Sequence, residues 1–162
     1  MKRLQRTASF AAALLAVFAL ATTISPTSGQ AMAVDDLDLA GYEGRVVVVD
    51  FWASWCVPCR RSFPWLNAMQ SKYVDDGLVI IGVNVDRVRA DADKFLERFP
   101  ATFNIIYDSE AELAKRFGVQ AMPSSFVIGR DGAIRDRHLG FKTRKQDEYE
   151  AALVAALEEK VR

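Results

Sequence analysis

The sequence predicts an α/β domain in which a mixed central β-sheet lies between helices on both of its faces. Two runs of mainly β-branched residues, 45–51 and 78–85, have the continuous apolar character of strands that are covered on both faces. Segments with helical periodicity alternate with the strands, and a hairpin followed by a last helix completes the chain. The chain has 162 residues, which suits one domain with an appendage, because domains most often contain about 100–150 residues.

Composition supports a folded domain and excludes nucleic acid as a partner. Apolar residues make up 51% of the chain and charged residues 26%, so the chain can bury a normal core. Lysine and arginine together number 21, as do aspartate and glutamate, and this balance argues against a nucleic-acid-binding protein. Residues 1–33 contain Lys2, Arg3 and Arg6 and no acid, so the remainder has 18 basic and 21 acidic residues, a net charge of about −3.

The N-terminal 33 residues have the pattern of an export signal. The three basic residues precede an apolar run, 8–24, that contains no charge, and Ala31-Met32-Ala33 has the small-x-small form that signal peptidase accepts. We expect cleavage after Ala33, which leaves a domain of residues 34–162 in the periplasm, an oxidising compartment. The alternative is an uncleaved anchor that holds the domain on the periplasmic side of the inner membrane.

The first half of the domain is predicted to contain three strands separated by two helices. Strand 45–51 is followed by a helix from about Cys56 to Tyr73 and then by strand 78–85. Segment 89–99 places its apolar residues on one helical face and ends before a proline. A short strand at 104–107 follows.

The second half is predicted to contain a helix, a hairpin and a last helix. A capping box from Ser109 to Glu112 predicts a helix that ends at Gly118, where a left-handed backbone conformation terminates helices. Strands at 124–128 and 134–139 flank a glycine-containing turn and form the hairpin. Segment 145–161 has the pattern of an amphipathic helix.

The two cysteines of the chain, Cys56 and Cys59, directly follow the first buried strand. Residues three apart in the first turn of a helix have α-carbons about 5–6 Å apart, within the range that a disulfide accepts. The unpaired N–H groups and the dipole at a helix N-terminus favour a thiolate, which is the nucleophile of disulfide exchange. We therefore predict a redox-active disulfide with Cys56 as nucleophile and Cys59 as resolving cysteine, and no other cofactor.

Three other uses of the cysteine pair fit the residues less well. A structural disulfide that closes so short a loop would stabilise the fold only weakly. A zinc site needs about four ligands, and the chain adds only the lone His138, so no metal site is predicted. Covalent haem attachment needs a histidine after the second cysteine, where this chain has Arg60.

Asp50 is a candidate catalytic acid because it lies in the strand of four valines. An ionised carboxylate is costly to bury unless it has a partner or a use. Its position six residues before Cys56 places it under the start of the helix, where it would exchange a proton with Cys59 through a water. The alternative is a strand-end aspartate that caps the turn.

The segment from Asp50 to Cys59, DFWASWCVPC, resembles the active-site segment of thioredoxins. Met122-Pro123 resembles the cis-proline of that family, and the stretch between 85 and 109 has the length of an extra helix and strand found in exported TlpA-like disulfide reductases, which include the thioredoxins of cytochrome c maturation. The resemblance covers about residues 41–161. It implies a thioredoxin fold with an insertion at about 87–108, and a substrate-binding surface formed by Trp55, Met122 and Pro123.

The chain departs from that family at the acid that accompanies the cysteines. Many TlpA-like reductases have an acidic residue three positions after the second cysteine, where this chain has Ser62. Several exported relatives have asparagine in the strand where this chain has Asp50, the acid that cytoplasmic thioredoxins use. We therefore expect Asp50 to be the acid that serves Cys59.

These residues favour an exported thiol–disulfide oxidoreductase that acts as a monomer. The resemblance implies a reductase that receives electrons from a membrane transporter and passes them to cysteine pairs of cytochrome c or copper-site proteins. The alternative is a chaperone that carries a soft ion such as Cu(I) on Cys56 and Cys59 without turnover. The direction of electron flow depends on the reduction potential of the pair relative to its compartment.

Overall fold

The computed structural model describes residues 39–160, which form a five-stranded β-sheet with helices on both faces. The strands are β1 (Val46–Trp52), β2 (Leu78–Asn84), β3 (Asn104–Tyr107), β4 (Ser124–Ile128) and β5 (Ile134–Leu139). The helices are α1 (Cys59–Tyr73), α2 (Arg89–Arg98), α3 (Glu112–Arg116) and α4 (Gln146–Glu158), with short 3₁₀ helices at Leu39–Tyr42 and Thr143–Lys145.

The sheet is mixed, as the sequence predicts. Its strand order is β3-β2-β1-β4-β5. Strands β1, β2 and β3 are parallel, whereas β4 is antiparallel to β1 and β5 is antiparallel to β4. Phe51, near the carboxyl end of β1, pairs with Ser124 at the amino end of β4. The loop that follows β1 and the loop that precedes β4 therefore meet at the same end of the sheet.

Coverage of both faces explains why β1 is apolar along its length. Successive strand residues point to opposite faces, and all seven residues of β1 are buried. The even-numbered valines and Trp52 pack with residues of α1, α2 and α4. The odd-numbered valines and Phe51 pack with residues of α3 and of the neighbouring strands. A helical layer on each side thus accounts for the unbroken valine run.

An aromatic cluster holds α1 and α2 over the carboxyl end of β1. The ring centroid of Trp52 lies 4.9 Å from that of Phe63 on α1 and 4.9 Å from that of Phe95 on α2. The centroids of Phe63 and Phe95 are 5.0 Å apart. Each such pair contributes about 0.5–1.5 kcal/mol beyond the burial of its area. The cluster therefore fixes the start of α1 relative to the end of β1.

The predicted insertion is present. Helix α2 and strand β3 both lie within residues 87–108, and β3 pairs in parallel with β2 to extend the sheet.

The start of α3 differs from the prediction. The N–H groups of Glu112 and Ala114 donate to the two carboxylate oxygens of Asp108 at 2.8 and 2.9 Å. The predicted capping box is wrong, because the capping side chain lies one residue before Ser109. Ala111, with a φ of 56°, turns the backbone so that Asp108 reaches the free N–H groups. Gly118 ends the helix as predicted, with a φ of 64°.

The predicted signal peptide, residues 1–33, and its cleavage site lie outside the described residues. Across residues 39–160, no helix combines the length and the apolar character needed to cross a bilayer.

Candidate active site

Cys56 and Cys59 form a disulfide at the junction of β1 and α1. Their α-carbons lie 5.3 Å apart, within the predicted range. Helix α1 begins at Cys59, so Cys56 precedes the first turn and does not lie within it as the spacing suggested. The N–H of Cys59 donates to Cys56 Sγ at 3.2 Å. This donor, together with the helix dipole, stabilises negative charge on Cys56.

The two cysteines differ in exposure. Cys56 retains 3% of its surface, whereas Cys59 is completely buried. Of the two residues, Cys56 is therefore the one with any exposed surface. The neighbouring side chains of Trp55 and Val57 are 65% and 54% exposed, which gives the rim of the site two apolar groups in a position to contact another protein.

Asp50 is completely buried in β1. Ser125 donates its hydroxyl to Asp50 Oδ1 at 2.5 Å, and within residues 39–160 Oδ2 has no hydrogen-bond partner. Burial raises the pKa of Asp50 from 3.8 to about 7, and the Ser125 hydrogen bond opposes this shift. The carboxyl group can therefore gain and lose a proton near neutral pH.

The side chain of Asp50 lies on the face of the sheet that α1 covers. Residues two apart in a strand share a face, so Asp50 lies on the same face as Val48 and Trp52. Both of these residues belong to the core cluster that contains Cys59. The structure thus places Asp50 and Cys59 on one side of β1, and the catalytic role of Asp50 stays a prediction.

Met122 and Pro123 directly precede β4, and the peptide bond between them is cis. Because Ser124 pairs with Phe51, this segment lies at the end of the sheet from which the cysteine loop leaves. Pro123 is buried, and Met122 is partly buried against both core clusters. The structure brings these residues to the same end of the sheet as the cysteine pair, and their part in substrate binding stays a prediction.

A hydrogen-bond network that the sequence did not reveal holds the loop before Cys56. The carboxylate of Asp86 accepts from the N–H of Ser54 at 2.8 Å, from the Ser54 hydroxyl at 2.9 Å and from the side-chain amide of Asn84 at 2.8 Å. Asp86 is only 8% exposed. The sequence position of Asp86, just after β2, could have predicted this network. The carboxyl ends of parallel strands lie at the same end of a sheet, so a residue that follows β2 lies near the loop that follows β1.

Ser62 occupies the position where many TlpA-like reductases have an acid. It is 2% exposed, and its hydroxyl donates to the Cys59 carbonyl at 3.1 Å within the first turn of α1. A serine hydroxyl does not titrate near neutral pH. Ser62 therefore cannot replace the missing acid, and Asp50 is the titratable side chain of β1 on the face that α1 covers.

The lone histidine is engaged away from the cysteine pair. His138 Nε2 lies 3.1 Å from Asp136 Oδ2, and its ring centroid lies 4.6 Å from that of Tyr149 on α4. In the part of the chain that the structure describes, no group of three or more His, Cys, Asp or Glu side chains is placed to hold a metal ion.

Comparison with known proteins gives a family match and named relatives. The family model described as Redoxin matches residues 8–153. Thiol-disulfide oxidoreductase ResA of Geobacillus thermodenitrificans is 34% identical over 107 residues, which cover 66% of this chain and 62% of that protein. The chain therefore spans less than two thirds of the length of this curated relative.

Solved structures show the same architecture. A Chlorobium tepidum protein assigned as the thiol:disulfide interchange protein DsbE is 44% identical, with a TM-score of 0.72, and the match covers 74% of this chain and 84% of that one. StoA from Bacillus subtilis is 25% identical, with a TM-score of 0.59, and the match covers 68% of this chain and 83% of that one. These matches confirm the predicted thioredoxin fold and the relationship to TlpA-like proteins.

Proposed function

The chain belongs to the redoxin family, and we propose that it is an exported thiol–disulfide oxidoreductase that reduces cysteine pairs in other proteins. The observation that carries this proposal is the position of the disulfide. Cys56 and Cys59 close it at the start of α1, and Cys56 is the cysteine that reaches the surface. Because a disulfide over so short a loop adds little stability, thiol–disulfide exchange is the use that this placement supports.

In the reduced protein, the Cys56 thiolate attacks one sulfur of a substrate disulfide. A bond forms between Cys56 and that sulfur, and the other substrate sulfur leaves as a thiolate, which takes up a proton. The Cys59 thiolate then attacks the sulfur of Cys56, restores the intramolecular disulfide and releases the second substrate thiolate. Two electrons pass to the substrate, and a dithiol donor returns two electrons to the pair.

Asp50 serves the second step of this exchange. Cys59 must lose a proton before it attacks, and a buried thiol does so poorly without a base. The Asp50 carboxylate accepts this proton through a water, and its pKa of about 7 suits transfer near neutral pH. Oδ2 is the oxygen available for the transfer, since Ser125 occupies Oδ1.

The proposed substrates are cysteine pairs of cytochrome c or copper-site proteins in the periplasm, and the proposed donor is a membrane transporter. The export pattern of residues 1–33 supports the compartment. The relationship to TlpA-like reductases supports the substrate class, and the relatives named ResA and DsbE support exchange chemistry. Exposed Trp55 and Val57 beside Cys56 suit a protein substrate.

Insulin reduction tests the activity. With dithiothreitol as donor, the purified protein should precipitate insulin chains much faster than its Cys56→Ser variant does. Failure to accelerate precipitation, combined with tight binding of Cu(I) by the reduced protein, would favour the copper chaperone that uses the same cysteines.

The reduction potential tests the direction of electron flow. The potential is measured by equilibration with glutathione or dithiothreitol buffers. A reducing thioredoxin has a potential of about −270 mV and a strong oxidant one of about −120 mV, and we expect a value closer to that of the thioredoxin. A potential near about −120 mV would instead indicate that the protein oxidises its substrates.

A further inference from the structure

A cleft of about 360 Å³, here termed the basic cleft, opens between the first turn of α1 and the segment after β5. It is lined by Arg61, Phe141, Lys142, Thr143 and Arg144. Arg61 lies in the first turn of α1, two residues after Cys59. On the other side, the segment after β5 is held beside Pro123, because the N–H of Gly140 donates to the Pro123 carbonyl at 2.8 Å. The basic cleft therefore lies between the turn that begins at Cys59 and a segment whose first residue is hydrogen-bonded to Pro123.

The cations of the basic cleft lack acidic partners. Its lining holds three cations and, among the described residues, no carboxylate. Arg61, Lys142 and Arg144 are exposed, and none of them forms an ion pair within residues 39–160. The adjacent Lys145, in contrast, pairs with Glu148 at 2.5 Å. The three cations are therefore free to bind an anion.

Two other clefts in the described part of the chain also contain cations, but each of them contains at least one carboxylate as well. A cleft of about 200 Å³ on the other side of α1 contains Asp91, which lies 3.8 Å from Lys94. A cleft of about 310 Å³ between β5 and α4 shares Lys142 with the basic cleft and also contains Asp136 and Glu148. The chain after residue 33 carries a net charge of about −3. The combination of three cations with no carboxylate is thus a local feature of an acidic domain.

The floor of the basic cleft is well packed. Phe141 is 7% exposed, and its ring centroid lies 5.8 Å from that of Trp65 on α1 and 5.7 Å from that of Tyr149 on α4. The N–H of Lys142 donates to the Tyr149 hydroxyl at 3.3 Å. These contacts with two helices fix the backbone from which Lys142 and Arg144 project.

We propose that the basic cleft binds an acidic segment of the protein substrate, next to the substrate's reactive cysteines. The inference rests on the proposed function, since it names the substrate class of the same cysteine pair. When Cys56 attacks, flanking residues of the substrate extend past Pro123 and Arg61, where aspartate or glutamate meets the unpaired cations. Arginine binds carboxylates with paired hydrogen bonds, and opposite charges accelerate association in a salt-dependent way.

Matched peptides test this proposal. Three synthetic peptides carry one cysteine, blocked as a mixed disulfide with neutral 2-thiopyridine, and differ only in flanking Glu, Gln or Lys residues. The full-length reduced protein releases thiopyridone, which is followed by absorbance in stopped flow. Each rate constant is divided by that of the same peptide with dithiothreitol, because flanking charge also alters the intrinsic reactivity of the peptide disulfide. At about 20 mM salt we expect a Glu to Gln ratio of about 5–10, which falls towards 1 at about 500 mM.

Variants of the cleft and of a distant site localise the effect. Lys142→Gln with Arg144→Gln should bring the ratio close to 1, and Lys142→Glu with Arg144→Glu should favour the Lys peptide. The matched control, Arg45→Gln with Lys160→Gln, removes the same charge at the opposite end of the sheet. The guanidinium of Arg130 bridges the chain near these two control residues, because it donates to the carbonyls of Gly44 and Leu157 at 2.7 and 3.2 Å. The control should keep the wild-type ratio.

The outcomes separate the two proposals. If all three peptides react at equal normalised rates, or if the Glu preference survives in the Lys142 and Arg144 variants, the substrate assignment of the basic cleft is overturned while the oxidoreductase proposal stands. Equal peptide rates combined with binding to anionic lipid vesicles that requires the two cations would assign the cleft to a membrane surface. Failure to react with any peptide overturns both proposals.

Discussion

Replacement of Asp50 by asparagine should change the pH dependence of stability in a direction that the burial of this carboxyl group determines. The wild-type side chain is completely buried, with one oxygen bonded to Ser125 and the other without a partner in the described part of the chain. The asparagine side chain keeps the shape of the aspartate and the oxygen that accepts from Ser125, but it cannot ionise. The variant therefore isolates the free-energy cost of a buried negative charge.

The direction in which stability changes with pH follows from the number of protons bound by the folded and the unfolded protein. Burial raises the pKa of Asp50 from 3.8 to about 7, so between these values the folded protein holds a proton that the unfolded chain has lost. The free energy of unfolding must then fall as the pH rises through this interval and become level above it. The difference between the two pKa values corresponds to about 4 kcal/mol lost in total.

The asparagine variant should not lose free energy of unfolding in this way as the pH rises, but its buried amide group destabilises the fold by a smaller amount. Its amide nitrogen takes the place of Oδ2, and an unsatisfied buried donor costs about 1–3 kcal/mol. At about pH 8 the variant should be more stable than the wild type by about 2–4 kcal/mol. At about pH 4 the neutral wild-type carboxyl leaves its own O–H without a partner, so the two proteins should differ by less than about 1 kcal/mol. The stability advantage of the variant should thus grow as the pH rises.

Urea unfolding of the oxidised proteins between about pH 4 and 9 measures this difference, and the closed disulfide keeps both cysteines from titrating. Subtraction of the wild-type curve cancels the contributions of all other titrating groups. Asp75→Asn, on the exposed loop after α1, controls for the removal of one carboxylate. A difference that does not vary with pH, or a variant that is less stable at about pH 8, would refute the assignment of a buried, neutral carboxyl group.

Other predictions concern the exchange reaction, the loop and the N-terminus. Cys59→Ser should accumulate a mixed disulfide with substrate and Cys56→Ser should not, as checked by non-reducing electrophoresis; equal trapping by both would contradict the assigned order. Asp50→Asn should slow resolution of that mixed disulfide by about 10²-fold in quenched flow, with less effect on the first attack, and wild-type rates across about pH 6–9 would show that water alone serves Cys59. Asp86→Ala removes the acceptor of three hydrogen bonds and should lower the free energy of unfolding, measured with urea, by about 2–4 kcal/mol. A loss below about 0.5 kcal/mol would show that these hydrogen bonds do not stabilise the loop. Sequencing of the exported protein should begin at Val34, whereas an intact N-terminus in membranes would indicate the anchored form.

Much of the fold could be predicted because its elements have strong local patterns. The strand predicted at 45–51 is observed at Val46–Trp52, since a short run of β-branched residues fits the pleated surface of a sheet that is covered on both faces. The start of α3 could not be placed in the same way. Both Asp108 and Ser109 are suitable capping residues, and the choice depended on the left-handed turn at Ala111.

The sequence by itself determined which groups are the candidates for the chemistry. A cysteine pair with this spacing after a buried strand, and an aspartate within that strand, are features of one short segment, and the start of a helix imposes its geometry on neighbouring residues alone. Tertiary structure decided which groups surround them. Ser125 lies 75 residues from Asp50, and Asp86 lies 32 residues from Ser54. Arg61 and Lys142 line one cleft because α1 and the segment after β5 pack together. Strand pairing and helix packing create these contacts between residues that are far apart in the chain, so the sequence around either residue does not show which side chain it will meet.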